Sequence, residues 1–348
     1  MLRVAINGYG RIGRSVLRAL YENGYRDHIQ VVAINELSDI ETISYLTRYD
    51  TTHGRFPQPV STQGNALLIG DDAILCFSCA TPDELDWSSL ALDMVLECSG
   101  SFSGRDGAQA YLDAGVPRLL LSQPAAADVD ATIVYGFNNH DIQAEHRIVS
   151  AASCTTNCLI PVLDIVKQFC GVVHGMTQTI HSAMNDQPVI DGYHTKDLRL
   201  TRAALSSIIP VDTGLARGIT RMMPELDGKM GCNAVRVPTL NVSVIDLVLR
   251  TERDVTVEQI NTQLEHAAHL KYAGLMGFTR EAHASVDFNH DPRSVIIDGT
   301  QTQVIDKRMV KLLCWFDNEW GYANRMLDVA KYWAGVIEQS NLDRDIRR

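Results

Sequence analysis

The 348-residue sequence lacks any uninterrupted run of 18 apolar residues, so it predicts no membrane-spanning helix. It is also poor in positive charge, because 31 Lys and Arg stand against 42 Asp and Glu, a net charge of -11. Neutralising nucleic-acid phosphates takes a basic face, so this balance argues against a nucleic-acid-binding protein. The opening MLRVAINGYG has neither the apolar core nor the cleavage site of a secretory signal. We therefore expect a cytoplasmic protein that binds neither nucleic acid nor membranes.

Paired cysteine motifs are scarce as well. Of the eight cysteines, only Cys76 and Cys79 have the CxxC spacing of a redox or zinc site. A structural zinc site takes four ligands, and neither a second CxxC nor a nearby pair of histidines could complete one. Together with the absence of a secretory signal, this predicts reduced thiols and no metal site.

The length suits two domains, and the sequence changes character after Ser153. Before that point, short apolar runs alternate with helical stretches, which predicts an α/β domain with a parallel sheet; its first elements are a strand at 3–8 and a helix at 11–24. After it, longer strands with few helices between them predict an α+β domain with a mostly antiparallel sheet, including a strand at 284–290. An amphipathic stretch at 319–339 predicts a final helix.

Gly8, Gly10 and Gly13 form a GxGxxG motif between the first strand and the first helix. In a dinucleotide-binding fold the first glycine permits a tight turn, the second lets backbone approach a pyrophosphate, and the third lets helix and strand pack closely. Glu36 ends the next strand, where a carboxylate would accept hydrogen bonds from the ribose hydroxyls and repel a 2′-phosphate. The motif therefore predicts NAD binding in preference to NADP. The alternatives are a purely structural glycine turn and a solvated charge at Glu36.

Cys154 and His181 are the candidate catalytic pair. Ser153 can cap a helix that begins at Cys154, and a thiol at a helix N-terminus has its thiolate stabilised by the helix dipole and by unpaired N–H groups. His181 follows 27 residues later at the end of a predicted strand, a separation that a helix and a returning strand can span. The alternative interpretation of Cys154, taken alone, is a small buried apolar residue. The alternative interpretation of His181, taken alone, is a structural histidine.

Seven motifs follow one another along the chain: INGYGRIGR, YDTTHGRF, SCTTNCLIP, HSAMNDQ, PVDTGLA, AVRVPT and WFDNEWGYANRMLD. Together they resemble the glyceraldehyde-3-phosphate dehydrogenase family, from about residue 2 to residue 336. The resemblance implies a Rossmann-type NAD-binding domain at 1–153, completed by a C-terminal helix at 318–348, and a catalytic domain at 154–317. It also implies a homotetramer and a small phosphorylated aldehyde as substrate.

In that family, Cys154 would be the covalent nucleophile, and His181 would activate it and move protons. Backbone groups of Arg11 and Ile12 would hold the pyrophosphate, and Asn318 would fix the nicotinamide carboxamide. Without the resemblance, the alternative for Asn318 is a helix cap, and the alternative for Arg236 is one partner of an ion pair. By motif position, the residues implied to contact substrate anions are Ser153, Thr155, Thr213, Gly214 and Arg236.

Four positions depart from the usual glycolytic pattern. Glu36 stands where glycolytic members usually carry Asp, and Met184 stands where they carry a Thr that binds the substrate phosphate. Leu200 stands where many bacterial members carry an Arg, leaving Arg199 and Arg202 as nearby cations. Ala80 stands near the place of an Arg by the adenine. The motifs around Met184 resemble the branch that oxidises D-erythrose 4-phosphate to 4-phosphoerythronate with NAD and water, for pyridoxal phosphate biosynthesis. The alternatives are the phosphorylating glycolytic activity and a non-catalytic NAD-binding regulator.

Overall fold

The computed structural model describes residues 1–195 and 197–346. The chain folds into two compact units. The first comprises Met1–Ser153 together with the C-terminal segment from Ala323 onward, and the second comprises Cys154–Tyr322. In the part of the chain that the structure describes, no helix has both the length and the apolar character needed to cross a bilayer.

The first unit is built on a nine-stranded sheet with helices. The central strand is buried along its length, with Val4, Ala5 and Ile6 fully inaccessible, as expected for a parallel strand covered on both faces. The elements are β1 (Leu2–Asn7), α1 (Arg11–Glu22), β2 (Ile29–Asn35), α2 (Ile40–Arg48), β3 (Tyr49–Asp50), β4 (Gly54–Arg55), β5 (Val60–Gln63), β6 (Ala66–Ile69), β7 (Asp72–Phe77), β8 (Met94–Glu97), α3 (Arg105–Asp113), β9 (Leu119–Leu121), β10 (Ala131–Thr132) and β11 (Ile148–Ser150).

The strand order of this sheet is β10-β11-β9-β8-β1-β2-β7-β6-β5. Every neighbouring pair from β10 to β7 is parallel, whereas β5, β6 and β7 form an antiparallel extension. The parallel part confirms the predicted fold class. The antiparallel extension was not predicted from the sequence. A separate two-stranded ribbon pairs β3 with β4.

The second unit contains an eight-stranded sheet. Its elements are α4 (Cys154–Cys170), β12 (His174–His181), β13 (Ile209–Val211), α5 (Leu215–Met222), β14 (Met230–Arg236), β15 (Ser243–Arg250), α6 (Val257–His269), β16 (Met276–Thr279), β17 (Val295–Asp298), β18 (Gln303–Ile305) and β19 (Met309–Phe316). The order is β13-β14-β12-β15-β19-β17-β16, with β18 paired to β19. Only the pairs β12–β14 and β16–β17 are parallel among the described pairings, which confirms the prediction of a mostly antiparallel sheet.

The strand expected at 284–290 was wrong. Ser285–Phe288 forms a 3-10 helix instead. The residues alternate in polarity as a strand would, but the Asp287 carboxylate accepts the backbone N–H of Ala284 at 2.8 Å and stabilises a local turn. The last helix, α7, runs over Trp320–Ile346 and extends beyond the predicted end at residue 339. Within the first unit, its Asn324 side chain accepts a hydrogen bond from Asn23 at 2.6 Å.

Candidate active site

The glycine turn between β1 and α1 has two kinds of glycine. Gly8 has a φ of +83°, and a Cβ there would lie 2.4 Å from the backbone nitrogen of Ser99. A Cβ on Gly13 would lie 2.2 Å from the carbonyl oxygen of Gly8. A Cβ on Gly10 would meet no protein atom within 4 Å. The fold itself therefore requires glycine at positions 8 and 13, whereas the open space over Gly10 fits the close approach of a ligand.

A cleft of about 290 Å³ lies beside this turn, at the carboxyl ends of β1, β2 and β8. Its wall includes Gly8, Gly10, Glu36 and Ala80. The Glu36 carboxylate accepts the backbone N–H groups of Tyr9 at 2.7 Å and Leu37 at 2.8 Å, which holds it at the cleft. The carboxyl ends of parallel strands are where open α/β sheets bind nucleotides, so this cleft is the candidate site for the adenosine half of a dinucleotide.

Arg11 and Ile12 are the first two residues of α1. The Arg11 guanidinium makes a bidentate pair with the Asp50 carboxylate, so its charge is committed within the unit. Burial opposes ionisation of Asp50, but hydrogen bonds from Arg11 and from the backbone of His53 and Thr52 outweigh it and lower the pKa of Asp50 to about 2. An α-helix supplies no acceptor for its first N–H groups, so the start of α1 can offer backbone donors to an anion.

A buried carboxylate that sequence reasoning missed supports the floor of the cleft. Glu97, at the end of β8, accepts hydrogen bonds from the Asn7 amide at 2.7 Å and from the Tyr111 hydroxyl at 2.6 Å. The Asn7 side-chain oxygen in turn accepts from the Asn35 amide at 2.7 Å. This chain of bonds ties together the carboxyl ends of β8, β1 and β2. Only the carboxylate's position at the end of an apolar strand could have indicated it.

The second unit brings Cys154 and His181 together. Cys154 begins α4, and His181 is the last residue of β12. The Cys154 Sγ lies 3.9 Å from the His181 Nε2, and the His181 Nδ1 lies 2.8 Å from the carbonyl oxygen of Ser182. Because a carbonyl can only accept, Nδ1 carries the proton, which leaves Nε2 of the neutral ring as an acceptor facing the thiol. This geometry suits proton transfer from sulfur to the imidazole.

Burial is the largest cause of the pKa shift at both members of this pair. Burial raises the pKa of the Cys154 thiol to about 11; the backbone N–H groups of Thr155 and Cys154 lower it less, and the Asp317 carboxylate raises it further. Burial also lowers the pKa of His181 below its usual value. The helix N-terminus thus favours the thiolate, but desolvation exceeds this effect. The pair rests as a neutral thiol and a neutral imidazole.

Arg236 lies directly beside His181, because their Cα atoms are partners in the parallel pair β12–β14. Its Nη1 donates to the Asp186 carboxylate at 2.6 Å, and its side chain is 13% exposed. The ion-pair alternative for Arg236 thus holds, and Asp186 is a neighbour that sequence reasoning did not single out. Both residues act on His181, since Arg236 lowers its pKa and Asp186 raises it.

Asn318 is buried and has two hydroxyl partners. Its Oδ1 accepts hydrogen bonds from the Ser182 Oγ at 3.0 Å and the Ser243 Oγ at 2.8 Å. The neighbouring Asp317, not Asn318, accepts the N–H groups at the start of α7, from Glu319 at 2.9 Å and Trp320 at 2.7 Å. The helix-cap role considered for Asn318 therefore belongs to Asp317.

The remaining candidates lie at the starts of α4 and α5. Thr213 and Gly214 immediately precede α5, where the Thr213 hydroxyl accepts the Leu215 N–H at 3.2 Å. Helix α5 packs on the first turn of α4, since a Cβ on Gly218 would lie 2.7 Å from the hydroxyl of Thr156. Ser153 and Thr155 flank Cys154 in the chain.

The structure does not join Arg199 to the pair. Arg199 is exposed, its backbone N–H donates to Asp197, and no hydrogen bond or ion pair within residues 1–195 and 197–346 links it to Cys154 or His181. Leu200 is buried at 9% exposure, and Met184 is 46% exposed.

Comparison with known families returns two matches. Residues 2–105 match the model described as "Glyceraldehyde 3-phosphate dehydrogenase, NAD binding domain". Residues 153–318 match the model described as "Glyceraldehyde 3-phosphate dehydrogenase, C-terminal domain". The two matches cover most of the chain and fall one in each unit, so the resemblance drawn from the sequence motifs is confirmed.

Proposed function

Because this chain belongs to the glyceraldehyde 3-phosphate dehydrogenase family, an NAD-dependent family of oxidoreductases, we propose that it oxidises D-erythrose 4-phosphate to 4-phosphoerythronate. The observation that carries the proposed chemistry is the placement of the Cys154 Sγ 3.9 Å from a His181 Nε2 that is free to accept its proton. The reaction would supply a precursor for pyridoxal phosphate biosynthesis.

The thiol and the imidazole divide the chemistry between them. His181 Nε2 takes the thiol proton as sulfur bonds to the aldehyde carbon, and the carbonyl electron pair moves to oxygen. The backbone N–H of Cys154 and the protonated ring then stabilise that oxygen. When bound, NAD would supply the hydride acceptor for oxidation of the hemithioacetal to the thioester. His181 passes the thiol proton to solvent and, neutral again, takes a proton from the water that adds to the thioester carbon. The sulfur leaves on accepting that proton, which regenerates the thiol and releases the acid.

The NAD site follows from the first unit. Gly8 and Gly13 shape the turn, Gly10 leaves room for the pyrophosphate, and backbone N–H groups at Arg11 and Ile12 would hold it. The Glu36 carboxylate, fixed by two backbone N–H groups, would accept from the adenosine ribose hydroxyls. In the second unit, Asn318 would hold the nicotinamide carboxamide.

The choice of substrate rests on weakened anion recognition. Met184 offers no hydroxyl, Leu200 is a buried apolar side chain in place of a guanidinium, and Asp186 partly neutralises Arg236. A site with these donors removed should hold free phosphate poorly, so water becomes the agent that opens the thioester. The longer four-carbon substrate can place its phosphate on other donors, for which we propose Ser153, Thr155, Arg199, Thr213, Gly214 and Arg236.

A parallel assay of two aldehydes tests this substrate. NADH formation is measured with erythrose 4-phosphate and with glyceraldehyde 3-phosphate, each with and without inorganic phosphate. We expect oxidation of erythrose 4-phosphate in phosphate-free buffer, well above that of glyceraldehyde 3-phosphate. A preference for glyceraldehyde 3-phosphate with an absolute need for phosphate would assign the chain to the glycolytic activity instead.

A non-catalytic NAD-binding regulator is the candidate from a different class. Such a protein needs neither Cys154 nor His181, and their 3.9 Å approach disfavours it. Stoichiometric alkylation of Cys154 by iodoacetamide separates the two. An enzyme should lose its dehydrogenase activity in proportion to labelling, whereas a regulator has no such activity to lose.

We also propose that the protein is a cytoplasmic homotetramer. Support for self-association comes from large apolar side chains that the isolated chain exposes between residues 189 and 208, since such exposure marks association surfaces. They are Val189, Ile190, Tyr193, Leu198, Leu205 and Ile208.

A further inference from the structure

Two buried serines hold the side chain of Asn318. Ser182 follows β12 and Ser243 begins β15, and both side chains are inaccessible to solvent. Both hydroxyls donate to the same oxygen, the Asn318 Oδ1. A third bond closes the group, because the Ser243 Oγ accepts the backbone N–H of Ser182 at 3.1 Å. These three residues form a cluster that we call the Asn318 clamp.

The clamp selects one orientation of the amide. The Ser243 Oγ already accepts an N–H, and its own hydrogen finds an acceptor in the Asn318 Oδ1. Turning the amide over would place the NH2 donors against two hydroxyls and deprive both hydroxyl hydrogens of this acceptor, which is costly in a buried site. Within the described chain, no residue accepts a hydrogen bond from the Asn318 Nδ2. The clamp thus buries the oxygen and leaves the NH2 group to donate elsewhere.

Ser182 also contacts the candidate base. Its carbonyl oxygen accepts the His181 Nδ1–H, while its hydroxyl donates to Asn318. One residue therefore orients both the imidazole and the amide. The strand register places Ser243 close to Asn318, since Ser243 pairs with Phe316, two residues before Asn318.

We propose that Ser182 and Ser243 are positioning residues that present the Asn318 NH2 group to the nicotinamide carboxamide and thereby fix which face of the ring receives the hydride. This inference rests on the proposed role of Asn318 in the proposed function. Neither serine touches the reacting atoms. Their effect passes through the amide of Asn318.

The test compares the binding of NAD with that of ADP-ribose, which lacks the nicotinamide. Calorimetry is applied to Ser182→Ala, Ser243→Ala and the double variant of the full chain. Because each lost hydrogen bond is worth about 1 kcal/mol, we expect each single variant to bind NAD about fivefold more weakly and the double variant more than tenfold. Binding of ADP-ribose should stay within about twofold.

Stereochemistry provides a readout that a merely structural role would not move. With an aldehyde deuterated at its carbonyl carbon, proton NMR of the reduced cofactor shows which ring face received the deuterium. The unsubstituted enzyme should label one face, and the double variant should label both. Ser243→Thr, which keeps a hydroxyl at position 243, should label one ring face, as the unsubstituted enzyme does. Single-face labelling in the double variant would overturn the proposal.

The matched control is Thr179→Val, on the same strand as His181. It removes a buried hydroxyl that has no hydrogen-bond partner among the described residues, so NAD and ADP-ribose binding should both be unchanged. Equal weakening of both ligands in the serine variants would show that the serines only support the fold.

Asn318→Ala separates this inference from the proposed function. If Asn318→Ala leaves the ratio of NAD to ADP-ribose affinity unchanged, the role of Asn318 itself is wrong. If Asn318→Ala lowers the ratio of NAD affinity to ADP-ribose affinity while the serine variants leave it unchanged, the proposed role of the two serines is wrong and the role of Asn318 stands.

Discussion

At the scale of single residues, the neutral resting state of Cys154 and His181 sets the dependence on pH. The pKa of the thiol is raised to about 11 and that of the imidazole is lowered, so at pH 7 the thiol keeps its proton and the ring can accept it. In the proposed mechanism, reactivity at neutral pH therefore depends on His181 as the proton acceptor. Activity should fall as the pH drops below the lowered pKa of His181, where the ring becomes charged.

His181→Asn tests this dependence. We expect NADH formation to fall about a hundredfold or more at pH 7, a typical contribution of a general base. Alkylation of Cys154 by iodoacetamide should be slower in this variant than in the unsubstituted protein. The difference between the two alkylation rates should disappear as the pH approaches 11, where the thiol ionises without a base. Cys154→Ser is the companion variant, which should abolish oxidation while NAD binding persists. An unchanged pH–rate profile in His181→Asn would return this residue to a structural role.

The Glu36 carboxylate makes a separate prediction about cofactor choice. Glu36→Ala should narrow the NAD/NADP affinity ratio by about tenfold, because it removes the repulsion of a 2′-phosphate. The variant should also lose on the order of 1 kcal/mol of stability, since the N–H groups of Tyr9 and Leu37 lose their acceptor. Affinities are measured by calorimetry and stability by urea unfolding. A native preference for NADP would show that Glu36 does not face the ribose.

At the scale of elements, the turn between β1 and α1 separates a folding requirement from a binding requirement. Gly13→Ala puts a Cβ 2.2 Å from a backbone oxygen, so we expect a loss of about 1–3 kcal/mol of stability, measured by urea unfolding. Gly10→Ala meets open space at an ordinary φ of −73° and should unfold at an unchanged urea concentration. It should nevertheless bind NAD about tenfold or more weakly, because its methyl group would occupy the proposed path of the pyrophosphate. Unimpaired NAD binding by Gly10→Ala would place the pyrophosphate elsewhere.

The same turn shows why part of the site could be predicted from sequence. Gly8, Gly10 and Gly13 act within one strand–turn–helix unit, and Cys154 acts at the first residue of its own helix. Features of this kind lie within one short segment, so the spacing of residues along the chain is enough to predict them. The strand expected at 284–290 failed because alternating polarity does not reveal a carboxylate that caps its own turn.

The Asn318 clamp shows what sequence could not give. Ser182 lies 61 residues from Ser243 and 136 residues from Asn318, and the register of three strands brings them together. No local pattern marks such a group. The raised pKa of Cys154 has a related origin, because its main cause is burial, which depends on the folded chain and not on the local sequence.

At the scale of the whole molecule, the proposed homotetramer would bury apolar side chains that a single chain leaves exposed. The segment 189–208 carries Ile190 and Tyr193, at 78% and 108% exposure, and a stable tetramer would cover apolar surface of this kind. Light scattering of the purified protein should give four chain masses. Ile190→Asp combined with Tyr193→Asp should reduce the mass to that of a smaller species, because burying two charges at an interface is costly.

Val286→Asp, a change of similar kind at a side chain that is 74% exposed, is the control and should leave the mass unchanged. A tetramer that persists in the double variant would show that this segment lies outside the interface, and a monomeric unsubstituted protein would remove the homotetramer from the proposed function.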